Sequence, residues 1–455
     1  MDLIDKIRSL PELTREYRHQ ANRALTDHPG SVTRESLRSF YWPWLVSVCL
    51  NTDTITPARP WITYPAARFL ETLLSRECRV FEYGAGGSTL FFAKQVGELV
   101  TVEHDRLWLE RTAARMRRRR GVRWHPQLHE PVAAAAARRL PATDPEAYAS
   151  TAPEFAGMSF LDYATAIEQY ADNYFDIVLI DGRARPSCFR HAIAKVKFGG
   201  YVVLDNAERE QYAWVEEAAE KLGFEKQEFW GPGPYNRYFW RTIFLRRVRE
   251  RFALNDLDAR LERHLDFDGG TFVEAGANDG IAQSNTLYFE ARRGWRGLLI
   301  EAVPRLAEQC RRYRPHALVE PVALVPAEGL GPVVLRYANL MSIVKGAMRS
   351  AEEEDAHIAK GCEVQKVETY EVSVPTATLS GLLDKHGIRQ IDLLSLDVEG
   401  YELSALQGLD LSRHRPRFIL VEARYRDEVH AHLSGQYDLV EELSFHDLLY
   451  RLRNA

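Results

Sequence analysis

Apolar residues along this chain gather in short continuous runs, and stretches of helical period separate them. In the first half the runs are "CRVFEY" (78–83), "ELVTVEHD" (98–105), "FDIVLIDG" (175–182) and "GGYVVLDN" (199–206). Between them lie the helical "TLFFAKQV" (89–96), "LWLERTAARMRRRR" (107–120) and "CFRHAIAKVKF" (188–198). Runs without strict alternation suit strands buried on both faces, and their alternation with helices predicts a parallel sheet covered on both sides. After a charged helical stretch, "RRVRERFALNDLDARLERHLD" (246–266), the pattern restarts with "TFVEAG" (271–276), "GLLIEA" (297–302), "IDLLSLDVEG" (391–400) and "PRFILVEAR" (416–424). Landmark acids recur in the same order: Glu82 with Glu274, Glu103 with Glu301, Asp181 with Asp397. This is a duplicated architecture rather than a short-period repeat.

The boundaries follow from that pattern. A polar helix over 1–30 and the aromatic "RESLRSFYWPWL" (34–45) form an N-terminal extension, 1–59, that packs on a first domain, 60–246. A helical linker, 247–268, leads to a second domain, 269–455. A length of 455 residues supports two to three cores, and 45% hydrophobic with 27% charged residues is the balance of a soluble globular protein. The net charge of −5 argues against a dedicated nucleic-acid binder. The most apolar stretch, "WPWLVSVCL" (42–50), is too short for a membrane span, and the N-terminus lacks the core of a signal peptide. Five scattered cysteines without C-x-x-C spacing suggest neither a zinc cage nor a disulfide framework, and point to a reducing, cytoplasmic compartment. The N-terminal helices and the linker offer surfaces for a homodimer.

Each half runs a strand into a glycine-rich turn, "VFEYGAGGS" (80–88) and "FVEAGANDG" (272–280). Such turns bring backbone N–H groups against a ligand at the carboxyl ends of parallel strands. An acid two residues before the first glycine, Glu82 before Gly84 and Glu274 before Gly276, suits the amino group of a methionine better than a pyrophosphate. An acid closing the next strand, Glu103 or Glu301, is placed for ribose hydroxyls, a feature shared with NAD binders. Strand-end acids that merely cap helices are the plainer alternative.

The second half resembles the FkbM family of methyltransferases across most of 265–453. The motifs are "FVEAGANDGIAQSNTLYFE" (272–290), "GWRGLLIEAVP" (294–304), "IDLLSLDVEGYELSALQGLD" (391–410) preceded by "VPTATLSGLL" (374–383), and "PRFILVEAR". The first half, over roughly 60–245, is similar to another class I S-adenosylmethionine-dependent methyltransferase through "VFEYGAGGSTLFFAK" (80–94), "VTVEHD", "DIVLIDGRAR" (176–185), "GGYVVLDNAER" (199–209) and "FWGPGPYNRYFWRT" (229–242). The resemblance implies an α/β chain of two tandem Rossmann-like class I methyltransferase domains, each a mostly parallel sheet flanked by helices. It implies S-adenosyl-L-methionine as cofactor, lined by Gly276, Asn278, Asp279 and Gly280 with Glu301 on the ribose and Ser284 and Asn285 toward the methionine carboxylate. In the first half Gly84, Gly86, Gly87, Ser88 and Thr89 take that place, with Glu103 on the ribose.

Methyl transfer from a sulfonium to an alcohol requires proximity and a group to remove the acceptor's proton. Asp397 and Glu399, two apart at a strand end, are the expected pair in the second half, with Glu422 as a further wall of their pocket. A shared cation, or a helix cap by Glu399, is the alternative use. In the first half Asp181, Asp205 and Asn206 form an oxygen set for a hard cation such as Mg²⁺, similar to catechol-type O-methyltransferases. Asp205-Asn206 serves equally as an N-cap for "AEREQYAWVEEAAEKL" (207–222). "GPGPYNRYFW" (231–240) is either a substrate loop carrying Tyr235 and Tyr238 or packing, and "NLMSIV" (339–344) is an acceptor-loop candidate for which the residues give no physical argument. His104, His191 and His446 read as structural, and the insertions 125–165 and 325–375 as acceptor-pocket builders without a legible code.

The expected function is a bifunctional S-adenosylmethionine-dependent O-methyltransferase acting on hydroxyls of a sugar or other natural-product small molecule, with no nucleic-acid or membrane partner. Neither half carries a D/N-P-P-Y/F run or the Pro-Cys pair of cytosine methylation. Alternatives are a chain with one catalytic half and one scaffold half, and an NAD(P)-dependent oxidoreductase or epimerase.

Overall fold

The computed structural model describes residues 3–50, 55, 57–134 and 140–453, which divide between Arg249 and Glu250 into two compact units. In the first unit the strands are β1 (Arg79–Tyr83), β2 (Glu98–Glu103), β3 (Arg123–Leu128), β4 (Phe175–Ile180), β5 (Val196–Leu204), β6 (Phe224–Gly231) and β7 (Trp240–Arg247). They form one sheet of order β3-β2-β1-β4-β5-β7-β6. The central pairs are parallel, and β7 runs antiparallel to β5 and β6. Every residue of β2 is buried, as expected of a strand whose two faces are both covered. The helix expected to run through 198 stops at Ala192, and Val196 starts β5. Val196 pairs with Phe175, and the register slips around Gly199 and Gly200 before Tyr201 resumes the ladder.

The helices Leu3–Asp27 and Arg34–Leu50 precede this sheet. Leu13, Tyr17, Phe40, Trp44 and Leu45 bury against one another and Tyr64. Trp44 Nε1 donates to the Asn236 carbonyl at 2.7 Å, and Tyr235 N–H donates to Ser47 Oγ at 3.2 Å. The extension therefore packs on the first unit and fixes the loop between β6 and β7, which is "PGPYNRYF" (232–239).

In the second unit β8 (Thr271–Ala275), β9 (Arg296–Ile300), β10 (Leu318–Glu320), β11 (Leu393–Leu396), β12 (Phe418–Glu422), β13 (Tyr437–Glu442) and β14 (Asp447–Leu452) repeat the plan in the order β10-β9-β8-β11-β12-β14-β13. The chain thus contains two Rossmann-like sheets of seven mostly parallel strands flanked by helices, as the motifs imply. The stretch read as a linker divides: Arg247 closes β7, while Leu257, Leu261 and Leu265, spaced by four, insert into the second unit's core. Between β10 and β11 sits an antiparallel sheet of Val333–Arg336, Ile343–Val344 and Glu371–Val374, with a helix at Ala351–Gln365. Among the described residues no helix is long and apolar enough to cross a membrane.

Candidate functional site

Each unit opens a cavity at the carboxyl ends of its parallel strands, where the glycine turn meets the acid that closes the second strand. In the first unit Gly84 (φ +105°) lies so close to the β4 end that a Cβ would sit 3.3 Å from Gly182 backbone atoms. In the second unit the demand is absolute: at Gly276 (φ +81°) a Cβ would lie 1.7 Å from the Asp397 carbonyl oxygen. These glycines let neighbouring strand ends converge at the cavity.

The same hydrogen-bonding device then appears twice. Glu103 Oε2 accepts from Ala85 N–H at 2.7 Å, and Oε1 from Asp105 N–H at 2.9 Å. Glu301 Oε2 accepts from Asn278 N–H at 2.8 Å, and Oε1 from Val303 N–H at 2.7 Å. In both units a turn amide and the amide two residues after the acid orient the carboxylate along the cavity wall. Their protonation differs. Burial pushes Glu301 up to about 7, its two backbone bonds only partly opposing this. Burial also acts to raise Glu103, but His104, with Nδ1 2.6 Å from Oε1, and the backbone amides outweigh it and hold Glu103 below the usual range. His104, read as structural, thus lines the cleft. His191 is structural: it is buried between Glu168 and Tyr148.

Glu82 and Glu274 line neither cavity. Glu82 is fully buried beneath its turn and accepts from Thr101 Oγ1 at 2.7 Å; burial lifts it to about 7. Glu274 accepts from Ser284 Oγ, Thr286 Oγ1 and Asn285 N–H and pairs with Arg314 Nη1 at 3.0 Å. The expected contact with a methionine amino group is replaced by support of the turn from behind, because strand alternation sends both side chains away from the cavity. Asp279 holds its own turn by accepting from Ile281 and Ala282 N–H, and Gly280 packs on Arg314 and Cys310. Ser284 Oγ accepts from the N–H of Leu287, the first residue of the following helix, while Asn285 Nδ2 donates to Ser395 Oγ at 3.1 Å. These four residues stand behind the second cavity, whereas Gly276, Asn278 and Glu301 line it. In the first unit Gly84, Gly87, Ser88 and Glu103 line the cleft, while Gly86 packs against Trp108 and Thr89 Oγ1 accepts from Gly86 N–H.

The cation set of the first unit does not fit a metal. Asp205 Oδ1 already accepts from Trp240 Nε1 at 2.9 Å and Thr242 Oγ1 at 2.6 Å. Burial and the Asp181 charge push Asp205 up to about 8. Arg185 donates to Asp181 Oδ1 at 3.1 Å and to the Asp205 carbonyl, and it provides the positive charge that the sequence reading assigned to Mg²⁺. Asp205 does not cap the next helix either, which begins at Ala213. Asp181 lines the cleft, lifted by burial to about 6 against the pull of Arg185. Trp61, Asn236 and Tyr238 also line it. Of the expected loop aromatics Tyr238 does so, and Tyr235 packs edge-on against Trp61.

In the second unit carboxyl groups converge on the cavity. Asp397 and Glu399 both line it, though not from an extended backbone: β11 ends at Leu396, and Glu399 sits in a turn at φ +53°. Glu399 does not cap the next helix, whose N-cap is Tyr401, and Glu402 accepts from Gly400 N–H at 2.7 Å. Burial and the charges of Glu422, Glu399 and Glu402 hold Asp397 well above the usual carboxylate range, and it shares a hydrogen bond with Glu422. Burial with Glu422 and Glu402 pushes Glu399 up to about 8. Asp397 Oδ1 is buried without a hydrogen-bond partner. Asn339, Leu340, Ser342 and Val344 of "NLMSIV" complete the lining. Among the described residues Glu422, His446 and Asp447 bring ligand-type atoms within 4.8 Å, but Asp447 Oδ2 already accepts from Ser444 Oγ at 2.6 Å.

So many raised carboxyl groups give a stability profile with a defined sign. A carboxyl whose folded pKa exceeds its unfolded value binds a proton more tightly in the folded state, so stability falls as pH rises through the folded value. With Glu82, Glu301 and Glu402 near 7 and Glu399 and Asp205 near 8, their contribution is fully present only below the unfolded carboxylate range, and the ligand-free chain is expected to melt progressively lower from pH 6 toward pH 8.5. Calorimetric scans across that range check it; a melting temperature that climbs from pH 6 to 8.5 contradicts the assignment.

Residues 274–452 match the family model described as the methyltransferase FkbM domain. No curated protein matches the chain. Similar solved structures include a methyltransferase-like protein from Silicibacter pomeroyi, 22% identical over 42% of this chain and 91% of that one, with a TM-score of 0.28. An O-methyltransferase from Bacillus cereus in complex with SAH is 15% identical, covering 51% of this chain and 98% of that one at a TM-score of 0.31. A methyltransferase from Geobacter sulfurreducens is 10% identical over 50% and 95%, at 0.29.

Proposed function

We propose that this chain, whose second unit carries a methyltransferase FkbM domain, binds S-adenosylmethionine in both units and transfers methyl groups to hydroxyls of a sugar-like or other natural-product small molecule. The observation that carries the reading is the duplicated acid, Glu103 and Glu301, held by a turn amide and the i+2 amide where ribose hydroxyls would donate. O-methylation is favoured for the second unit because Asp397 and Glu399 line one cavity and Glu422 backs Asp397. An alcohol gives up its proton only to a nearby base, and a pair sharing one proton keeps one negative charge for that purpose. Glu399, near 8, adds a second acceptor as pH rises. In the first unit Asp181 is the group closest in kind, oriented by Arg185.

The cavities differ in size. The first-unit cleft encloses about 710 Å³, within the range of roughly 300–1,000 Å³ typical of small-molecule sites. The second encloses about 80 Å³, with Leu340 in its wall and Asn278 Nδ2 donating to Asn339 Oδ1 at 3.2 Å. Cofactor entry there requires the 339–344 segment to move outward.

Differential scanning fluorimetry separates this reading from a dinucleotide enzyme. S-adenosylmethionine and S-adenosylhomocysteine are expected to stabilise the chain, by about 2.7 kcal/mol at a hundredfold excess over Kd, with NAD and NADP inert. Stabilisation by a dinucleotide alone would favour an oxidoreductase.

A further inference from the structure

Beyond Asp181 and Gly182 the first-unit cleft adjoins a smaller polar cavity, and three arginines, Arg183, Arg185 and Arg209, line both. Arg185 is committed: it is buried and donates to Asp181 and to the Gly182 and Asp205 carbonyls. The other two are not held in this way. Arg183 reaches a carboxylate only at 4.0 Å, on Glu154, and Arg209 only at 3.9 Å, on Glu208. Both separations exceed hydrogen-bond length. Arg183 Nε is buried without a hydrogen-bond partner, and the guanidinium lies 5.5 Å from the centre of the Phe155 ring, which restricts its plane. At the mouth of the same cleft Trp61 and Tyr238 expose large aromatic faces.

Two guanidinium forks with unfilled donors in one concave wall are matched by an oxyanion with several acceptor oxygens, which each fork grips bidentately. A neutral sugar would leave both forks without an anionic partner in the cavity beyond their longer-range pull on Asp181. We propose that the acceptor of the first unit bears a phosphate or diphosphate group, which Arg183 and Arg209 hold while its reacting hydroxyl lies at Asp181. Trp61 and Tyr238 cover the remainder of the molecule. This rests on the reading of the first unit as a methyltransferase and adds the chemical class of its acceptor.

The test is calorimetric titration of the full chain, saturated with S-adenosylhomocysteine, with pyrophosphate and separately with malonate. Wild type is expected to bind one pyrophosphate, with affinity falling as salt rises. The double variant Arg183→Gln/Arg209→Gln is expected to weaken that binding by about tenfold or more while S-adenosylhomocysteine affinity stays unchanged. No pyrophosphate binding by wild type, or equal binding by the variant, overturns the inference. Malonate binding tighter than pyrophosphate would replace a phosphate by a carboxylate and overturn it as stated. Arginine-dependent pyrophosphate binding by a chain that takes up no S-adenosylhomocysteine would contradict the methyltransferase reading and leave the anion site standing.

Discussion

Asp397→Asn is expected to lower methyl transfer by the second unit by about 10²–10⁴-fold, the usual worth of a positioned proton acceptor. The side chain lines the cavity, leaves Oδ1 unpartnered and shares its proton with Glu422. An amide of the same shape fills the space but cannot accept the alcohol's proton on one oxygen while passing its own to Glu422. S-adenosylhomocysteine affinity should change little, because the cofactor end of the cavity is held by Glu301 and the glycine turn rather than by Asp397. The melting temperature should hold or rise, since the variant removes a carboxyl whose ionisation burial opposes. The remaining activity should climb with pH toward 8, where Glu399 ionises. Turnover of a hydroxyl acceptor in a Gly84→Arg background, which silences the first unit, reads the effect. A kcat within about threefold of wild type would place the proton transfer elsewhere.

Arg314→Ala is the second large effect, and it acts on folding. The guanidinium is completely buried beside Phe272 and donates to Glu290 Oε2, Glu274 Oε2, Ser284 Oγ and Thr286 Oγ1 at 2.7–3.1 Å. Removing it strands two buried carboxylates, Glu274 and Glu290, and such a loss costs about 3–5 kcal/mol. For a unit of this size that lowers the melting temperature by about 6–20 °C. Glu274 also accepts from Asn285 N–H and Ser284 Oγ, so the turn behind the cavity loosens with it. Arg314→Lys should recover only part of the loss, because an ammonium cannot span both carboxylates as the planar fork does. A drop below about 1 kcal/mol by denaturant titration would show the network to be dispensable.

What the residues disclosed depended on whether their signal was local. Strands β1, β2, β4, β8, β9, β11 and β12 are continuous apolar runs, legible because both faces are buried. Strand β6 escaped because it lies at the sheet edge, where "EKQEFW" faces partly outward and reads as polar. The small sheet around 333–374 has half-exposed strands of two to four residues and gave no run either.

The site shows the same division. Glu103 and Glu301 were legible as cavity-lining acids because the acid that closes a strand next to a glycine turn has only one place to go. Glu82 and Glu274 were legible as acids but not as buried ones, since their partners lie elsewhere in the chain: Thr101 on β2, and Ser284 and Arg314 beyond the turn. Arg314 itself sits in "RRYRP", where nothing sets it apart from its exposed neighbours. Asp205 was taken for a cation ligand because Trp240 and Thr242, which satisfy its carboxyl, come from β7, the antiparallel strand the pattern did not reveal.

On the proposed function, one chain holds two S-adenosyl sites, each built on a strand-closing glutamate. Isothermal titration with S-adenosylhomocysteine measures that number directly. Two molecules are expected per wild-type chain, and one in each of the variants Glu103→Ala and Glu301→Ala. A wild-type stoichiometry of one, or a Glu301→Ala chain that still binds two, would contradict it.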